Sequence, residues 1–322
     1  MILGMVASFA LAYVVCWLLV VRGTAGWAVD VPNARSLHHG AIPRVGGGAM
    51  ALGAAAGWWL SQSGEAFWLL PTLGLFVVSL LDDLCRLPVA PRLVAHITAA
   101  IGFVLLGFHD IPVMLGVGLV LILVWMTNLY NFMDGADGLA GGMACVGFGV
   151  FAYAAHSDGY TNLASANGVV ASAALGFLLH NYPPARLFMG DMGAIPLGFL
   201  AGAMGIIGCH QGAWSPWFPL MVFSPFLVDA SVTLIKRGLQ GEPIWQAHKE
   251  HYYQRVIRLG VGRRRMLSQA YGIMAIAAGL GLICEARPEW RMPCMVGWLA
   301  ALGYLMRRID MAWKVHQAGR GN

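Results

Sequence analysis

The stretch "VMLGVGLVLILVWMTNLYNFMDGADGLAGGMACVGFGVFAY", residues 113–153, sets two apolar runs on either side of a polar hinge. Each run approaches the roughly 20 apolar residues that a helix needs to cross a bilayer. Lipid offers backbone N–H and C=O groups no partner, so a spanning segment must be a helix or part of a closed barrel. Barrel strands alternate with period two, and these continuous runs do not. The hinge carries Asn128, Asn131, Asp134 and Asp137 at a spacing of three. Polar groups are expensive next to lipid, and a chain that keeps four of them there is keeping a site.

The rest of the chain repeats this grammar. Of its 322 residues 58% are hydrophobic and 11% charged, and the mean hydropathy is +0.67. A soluble domain carries about 25% charged residues, so lipid is the solvent here. Apolar runs fall near 1–21, 46–62, 66–81, 92–108, 112–128, 139–156, 163–180, 193–209, 215–235, 266–284 and 289–306. They predict an all-α polytopic membrane protein with about 11 transmembrane helices in one integral membrane domain, 1–322. The first run has no basic segment before it and no clear cleavage site, and reads as a retained span. The six cysteines form no CxxC pair and lie mostly inside apolar runs, against a disulfide framework or a zinc site. The net charge of +5 reads as basic loops facing anionic headgroups, with no nucleic-acid partner.

Charge also orients the chain. If the spans alternate, loops 22–45, 82–91, 129–138, 181–192 and 236–265 share a side with the C-terminus. Of the 20 Lys and Arg, only Arg287 and Arg291 fall on the opposite side. That bias marks the first side as cytoplasmic, with a periplasmic N-terminus and a cytoplasmic C-terminus. The same side collects nearly every polar cluster, which predicts an active site at the cytoplasmic face.

Five clusters lie there. "DVPNARSLHHGAIPRVGGG", residues 30–48, offers Arg35, His38 and Arg44 as cationic donors ahead of three glycines; alone it reads equally as a basic loop. "LLDDLCRLP", residues 80–88, sets Asp82 beside Asp83. Adjacent carboxylates repel, so a metal, an arginine or a shared proton must compensate. Arg86, four residues after Asp82, is placed to share its helix face. In the hinge, Asn128, Asn131 and Asp134 span about 120° of a helix and suit one face, with Asp137 further round. "DGADG" also reads as turn chemistry. "NYPPARLFMGDMG", residues 181–193, puts Asp191 between glycines at the start of a span, where it either caps the helix or binds a hard cation such as Mg²⁺. "GEPIWQAHKEHYYQRVIRLGVGRRR", residues 241–265, holds His248 and His251 three apart, on one face if helical, in a basic segment suited to phosphate or to headgroups. Asp229 sits inside the ninth run and reads as a buried carboxylate with a partner, since a lone charge there is unfavourable by about 2.5–3.5 kcal/mol.

Together "VPNARSLHHGAIPRVGG", "DDLCRLP", "NLYNFMDGADGL", "NYPPARLFMGDMG" and "HKEHYY" resemble, in order, the polyprenyl-phosphate N-acetylhexosamine-1-phosphate transferases, glycosyltransferase family 4. The resemblance implies transfer of sugar 1-phosphate from a UDP-N-acetylhexosamine to undecaprenyl phosphate, with release of UMP, in a multi-pass protein of the bacterial inner membrane. It implies Mg²⁺, with Mn²⁺ as its substitute, held mainly by Asp191. Asp82 and Asp83 look like the pair that handles the acceptor phosphate. Asp134 and Asp137, with Asn128 and Asn131, look like a ribose, base and metal-shell network. Asn181 and Phe188 look like nucleotide contacts, and Arg44, Arg86, His248 and His251 like phosphate holders. The family often carries three histidines where this chain has "HKEHYY". That places it with the branch that starts O-antigen and other surface polysaccharides, and leaves N-acetylglucosamine and 6-deoxy relatives (N-acetylfucosamine, N-acetylquinovosamine) as donors. A homodimer is compatible with this reading. The rival class is a secondary transporter, which would gather its ionisable groups and broken helices at the membrane midplane instead.

Overall fold

The computed structural model describes residues 1–22, 42–62, 66–243 and 248–319, with the backbone of 29–30. Arg35 and His38 lie outside the described residues. The chain falls into two compact units, Met1–Pro216 and Trp217–Asn322.

The first unit holds α1 (Ile2–Arg22), α2 (Gly46–Ser61), α3 (Leu69–Cys85), α4 (Val89–Gly107), α5 (Val113–Phe132), α6 (Leu139–Ser157), α7 (Thr161–Asn181) and α8 (Asp191–Gln211). A two-residue antiparallel ladder, β1 (Val29–Asp30) with β2 (Ile42–Pro43), precedes α2. The second unit holds α9 (Trp217–Val222), α10 (Ser224–Leu239), α11 (Tyr252–Arg258), α12 (Arg263–Ala286) and α13 (Arg291–Ala318). Every apolar run of the sequence is helical. Among the described residues seven helices, α1, α4, α5, α6, α7, α8 and α12, are both long and apolar enough to cross a membrane, and the chain is a multi-pass membrane protein.

One run is not a single helix. Residues 215–235 break into α9 and α10 around Phe223. Pro225 supplies the physical reason: it has no N–H to continue the ladder and suits the first turn of a new helix.

In the first unit α8 is the central post. It packs against α2, α3, α5 and α6, and most of its side chains are buried. Helices in lipid gain little from hiding apolar surface, so they associate by close packing of small residues. α8 is built for this. A Cβ on Gly193 would lie 2.8 Å from the Gly47 Cα, and one on Gly198 would lie 2.7 Å from the Met126 carbonyl oxygen. Two neighbours, α2 and α5, approach α8 through these contacts, and α3 packs on it as well. An apolar cavity of about 900 Å³ lies between α2, α3 and α8, walled by Trp58, Trp68, Phe76 and Leu200 among others.

Candidate active site

Asp191 opens α8, and four other chain segments deliver charge to it. The segment before α2 runs alongside the loop before α8: Phe188 N–H donates to the Pro43 carbonyl, Gly46 N–H to the Phe188 carbonyl, and Gly47 N–H to the Met189 carbonyl. This short backbone ladder brings Arg44 to Asp191. Gly190 has φ +75°, and a Cβ there would lie 2.6 Å from the Arg44 carbonyl oxygen and 2.7 Å from Asp83 Oδ2. Only glycine meets both demands.

Two arginines then span three carboxylates. Arg44 Nη2 lies 3.1 Å from Asp83 Oδ1 and 3.1 Å from Asp191 Oδ1. Arg92 places Nε 2.9 Å from Asp82 Oδ2 and Nη2 3.0 Å from Asp191 Oδ2. Asp191 is thus held from both sides. The Asp82 and Asp191 carboxyls share one guanidinium.

The adjacent aspartates do different things. Asp83 points away from solvent, with a side chain 2% exposed. It accepts from the backbone N–H groups of Asp191 (3.2 Å) and Met192 (2.9 Å). It caps α8 from another helix, where a carboxylate satisfies free donors and favours the positive end of the dipole. Asp82 accepts from Leu87 N–H at 2.7 Å, which shapes the turn after α3. The sequence offered Arg86 as its partner. Helix α3 instead ends at Cys85, and Arg86 takes a left-handed conformation, φ 55°. That turn carries the exposed Arg86 off the helical face of Asp82, whose partner is Arg92.

The hinge differs from one helical face as well. Helix α5 stops at Phe132, so Asn128 and Asn131 are helical while Asp134 and Asp137 lie in the turn before α6. Gly138, at φ 76°, starts α6. Asn128 donates to the Val124 carbonyl at 2.7 Å. Burial raises the Asp134 carboxyl well above the ordinary carboxylate range; Arg44 opposes that shift, and Asp191, Asp83 and Asp137 add to it. Asp137 Oδ2 accepts from Ala185 N–H at 3.2 Å. Asn181 is buried, accepts from Gly138 N–H and donates to the Leu187 carbonyl, both at 2.8 Å. Its amide ties the hinge to the loop that carries Phe188 and Asp191.

In the second unit, His248 and His251 precede α11 instead of sharing a helix face. Their rings still meet, with centroids 4.8 Å apart. Desolvation pushes His248 down to about 4, with His251 and Arg237 pressing the same way. Asp229 has the partners expected of a buried carboxylate, among them Thr233 and His251.

Arg92 was not singled out by sequence reasoning. The available signal was a lone arginine in the first turn of an apolar span, ten residues after Asp82.

The donor set fits Mg²⁺ in kind, since Asp82, Asp83 and Asp191 are hard oxygen ligands. Among the described residues no three His, Cys, Asp or Glu side chains form a ready cage for a metal ion. The two guanidinium groups stand between the carboxylates instead.

Comparison with known proteins identifies the family. The family model described as glycosyl transferase family 4 matches residues 66–209, which run from α3 through α8. A probable undecaprenyl-phosphate N-acetylglucosaminyl 1-phosphate transferase of Bacillus subtilis (strain 168) is 30% identical over 284 residues, covering 82% of this chain and 79% of the relative. The undecaprenyl-phosphate alpha-N-acetylglucosaminyl 1-phosphate transferase of Escherichia coli (strain K12) is 28% identical, covering 89% and 85%. A decaprenyl-phosphate N-acetylglucosaminephosphotransferase of Mycobacterium tuberculosis (strain ATCC 25618 / H37Rv) is 28% identical, covering 88% and 83%. The transporter reading is not favoured: the chain belongs to the polyprenyl-phosphate N-acetylhexosamine-1-phosphate transferases of glycosyl transferase family 4.

Proposed function

We propose that this protein moves N-acetylhexosamine 1-phosphate from a UDP-sugar to undecaprenyl phosphate at the cytoplasmic face of the bacterial inner membrane. The product starts a lipid-linked surface polysaccharide such as an O-antigen. The observation that carries the reading is the junction of Asp82, Asp83 and Asp191 with Arg44 and Arg92 at the start of α8.

The reaction joins two anions. An oxygen of the lipid phosphate attacks the sugar-bearing phosphorus of the donor. The bond from that phosphorus to the bridging oxygen breaks, and UMP leaves with it. Positioning and charge neutralisation supply most of the catalysis in phosphoryl transfer. Arg44 and Arg92 are rigid forks that suit phosphate oxygens as well as carboxylates. We assign them to exchange partners on substrate binding, releasing Asp191 and Asp82 to hold Mg²⁺. When bound, Mg²⁺ neutralises pyrophosphate charge and eases departure of UMP. Asp83 acts through Asp191, by holding the first turn of α8. Asp134 and Asp137 with Asn128 and Asn131 form the nucleotide side, Phe188 stacks on uracil, and His248 and His251 hold the pyrophosphate. Asn181 reaches the nucleotide only through the loops it ties.

The test uses purified protein, undecaprenyl phosphate, Mg²⁺ and a panel of UDP-N-acetylhexosamines that includes 6-deoxy sugars. UMP release with a lipid-linked sugar is expected, and is lost in Asp191→Asn. A folded protein that turns over no member of the panel would refute the assigned donor class.

A further inference from the structure

Helix α10 carries Asp229, Thr233 and Arg237 at i, i+4 and i+8, one above another on a single face. All three are buried. Asp229 Oδ1 accepts from Tyr252 N–H at 2.9 Å, and Oδ2 from Tyr253 N–H at 3.1 Å. Thr233 Oγ1 donates to Asp229 Oδ1 at 3.2 Å, and His251 Nδ1 lies 3.3 Å from the same oxygen. Two turns along, Arg237 pairs with Glu242 and Glu250 and donates to the Pro243 carbonyl. One helix face thus grips the histidine segment at both ends.

We propose that Asp229 is a positioning residue that fixes the tautomer and the ring plane of His251. A carboxylate can only accept, so the contact requires the proton on His251 Nδ1. The second imidazole nitrogen, Nε2, is then the acceptor in the neutral ring, and its direction is set by the Nδ1 contact. The two backbone N–H groups lock the carboxylate itself, because both of its oxygens are engaged at the start of α11. A carboxylate that holds an imidazole in one tautomer is the device by which an aspartate serves a catalytic histidine without touching substrate. The inference rests on the proposed function for what His251 does in turnover, but the tautomer does not depend on it.

The experiment is therefore split. ¹⁵N-histidine NMR of the purified full-length protein, with the His251 signal assigned by His251→Gln, reads the tautomer with no substrate present. The Nδ1–H form is expected in the parent protein, and a mixture or the Nε2–H form in Asp229→Ala, which offers His251 no acceptor; Asp229→Asn keeps an uncharged amide oxygen that accepts more weakly, and a smaller shift of the same sign is expected. An Nε2–H ring in the parent would overturn the proposal whatever the enzyme does. In the transferase assay, Asp229→Asn should lower kcat/KM by about tenfold or more, a loss of about 1.4 kcal/mol. His251→Gln with Asp229→Asn should be no worse than His251→Gln alone. Additive losses would make Asp229 a merely structural residue. Should Asp229→Asn fail to fold, Thr233→Val removes one hydroxyl from the same oxygen and should shift the His251 resonance while leaving the fold intact; an unmoved resonance would count against the proposal. Failure of all turnover with an Nδ1–H ring would refute the assigned reaction and leave the positioning intact.

Discussion

Arg92 shows how one side chain sets the behaviour of a site. Its guanidinium spans Asp82 and Asp191. Arg92→Gln leaves that pair without its bridging cation, and charged hydrogen bonds are worth about 1.5–3 kcal/mol each. We expect Arg92→Gln to melt lower than the parent in EDTA and to recover more than the parent when Mg²⁺ is added, because a ligand that binds the fold stabilises it by mass action. Equal Mg²⁺ shifts in both proteins would remove the pair as a cation site. His248 gives a second residue-level expectation. The ring titrates near 6.5 when unfolded and at about 4 in the fold. Its folded value is depressed, so its contribution to stability is complete above about 6.5 and is lost as pH falls through about 4. His248→Gln should therefore lose less thermal stability than the parent between pH 6.5 and 4, read as the melting temperature in detergent. The sequence displayed the carboxylates because each stands in a short polar cluster. It hid Arg92 because its neighbours are apolar, and an isolated basic residue at a helix start resembles a headgroup anchor.

At the scale of elements, hydropathy revealed every α-helix among the described residues except the seven-residue, basic α11, because in lipid a long apolar run has one fate. Where helices stop was less legible. Arg86 and Asp134 fall beyond their helices, and a spacing of three or four carries facial meaning only while the helix continues. The histidine pair fails the same test but is brought together by the chain ahead of α11. What aligns the site is the contact of α2 with α8, where a Cβ on Gly47 would lie 2.4 Å from the Gly193 nitrogen and 2.5 Å from its Cα. Backbone cannot yield as a side-chain tip can, and overpacking is unfavourable by about 1–3 kcal/mol or more. Gly47→Leu should lower the melting temperature and abolish turnover together, because it pushes Arg44 away from Asp191. Gly118→Ala, whose new methyl meets nothing within 4 Å beyond its own stretch of helix, should leave both unchanged. A Gly47→Leu protein with parental stability would show that α2 and α8 can separate without harm.

For the whole molecule the decisive property is sidedness. The proposed reaction needs a nucleotide sugar, which is a cytoplasmic solute, and a lipid phosphate in the same leaflet. The ends of α3 and α5 and the start of α8 meet in the first unit, so the carboxylate junction and the hinge share one end of that bundle. The charge bias of the loops predicts that this end faces the cytoplasm, since Lys and Arg are retained there during insertion. The two lines are independent, one geometric and one topogenic. They predict a single labelling pattern in a cysteine-free background. Asp158→Cys, exposed after α6, should react in intact cells with a membrane-impermeant maleimide. Gln240→Cys, exposed after α10, should react only after the membrane is opened. The reverse pattern would put the carboxylates on the outer face, out of reach of any UDP-sugar, and the transferase mechanism would fail with the topology. Labelling of both sites from outside would mean an odd number of crossings between residues 158 and 240 is wrong, and would move the break at Phe223 from a kinked span to a re-entrant turn.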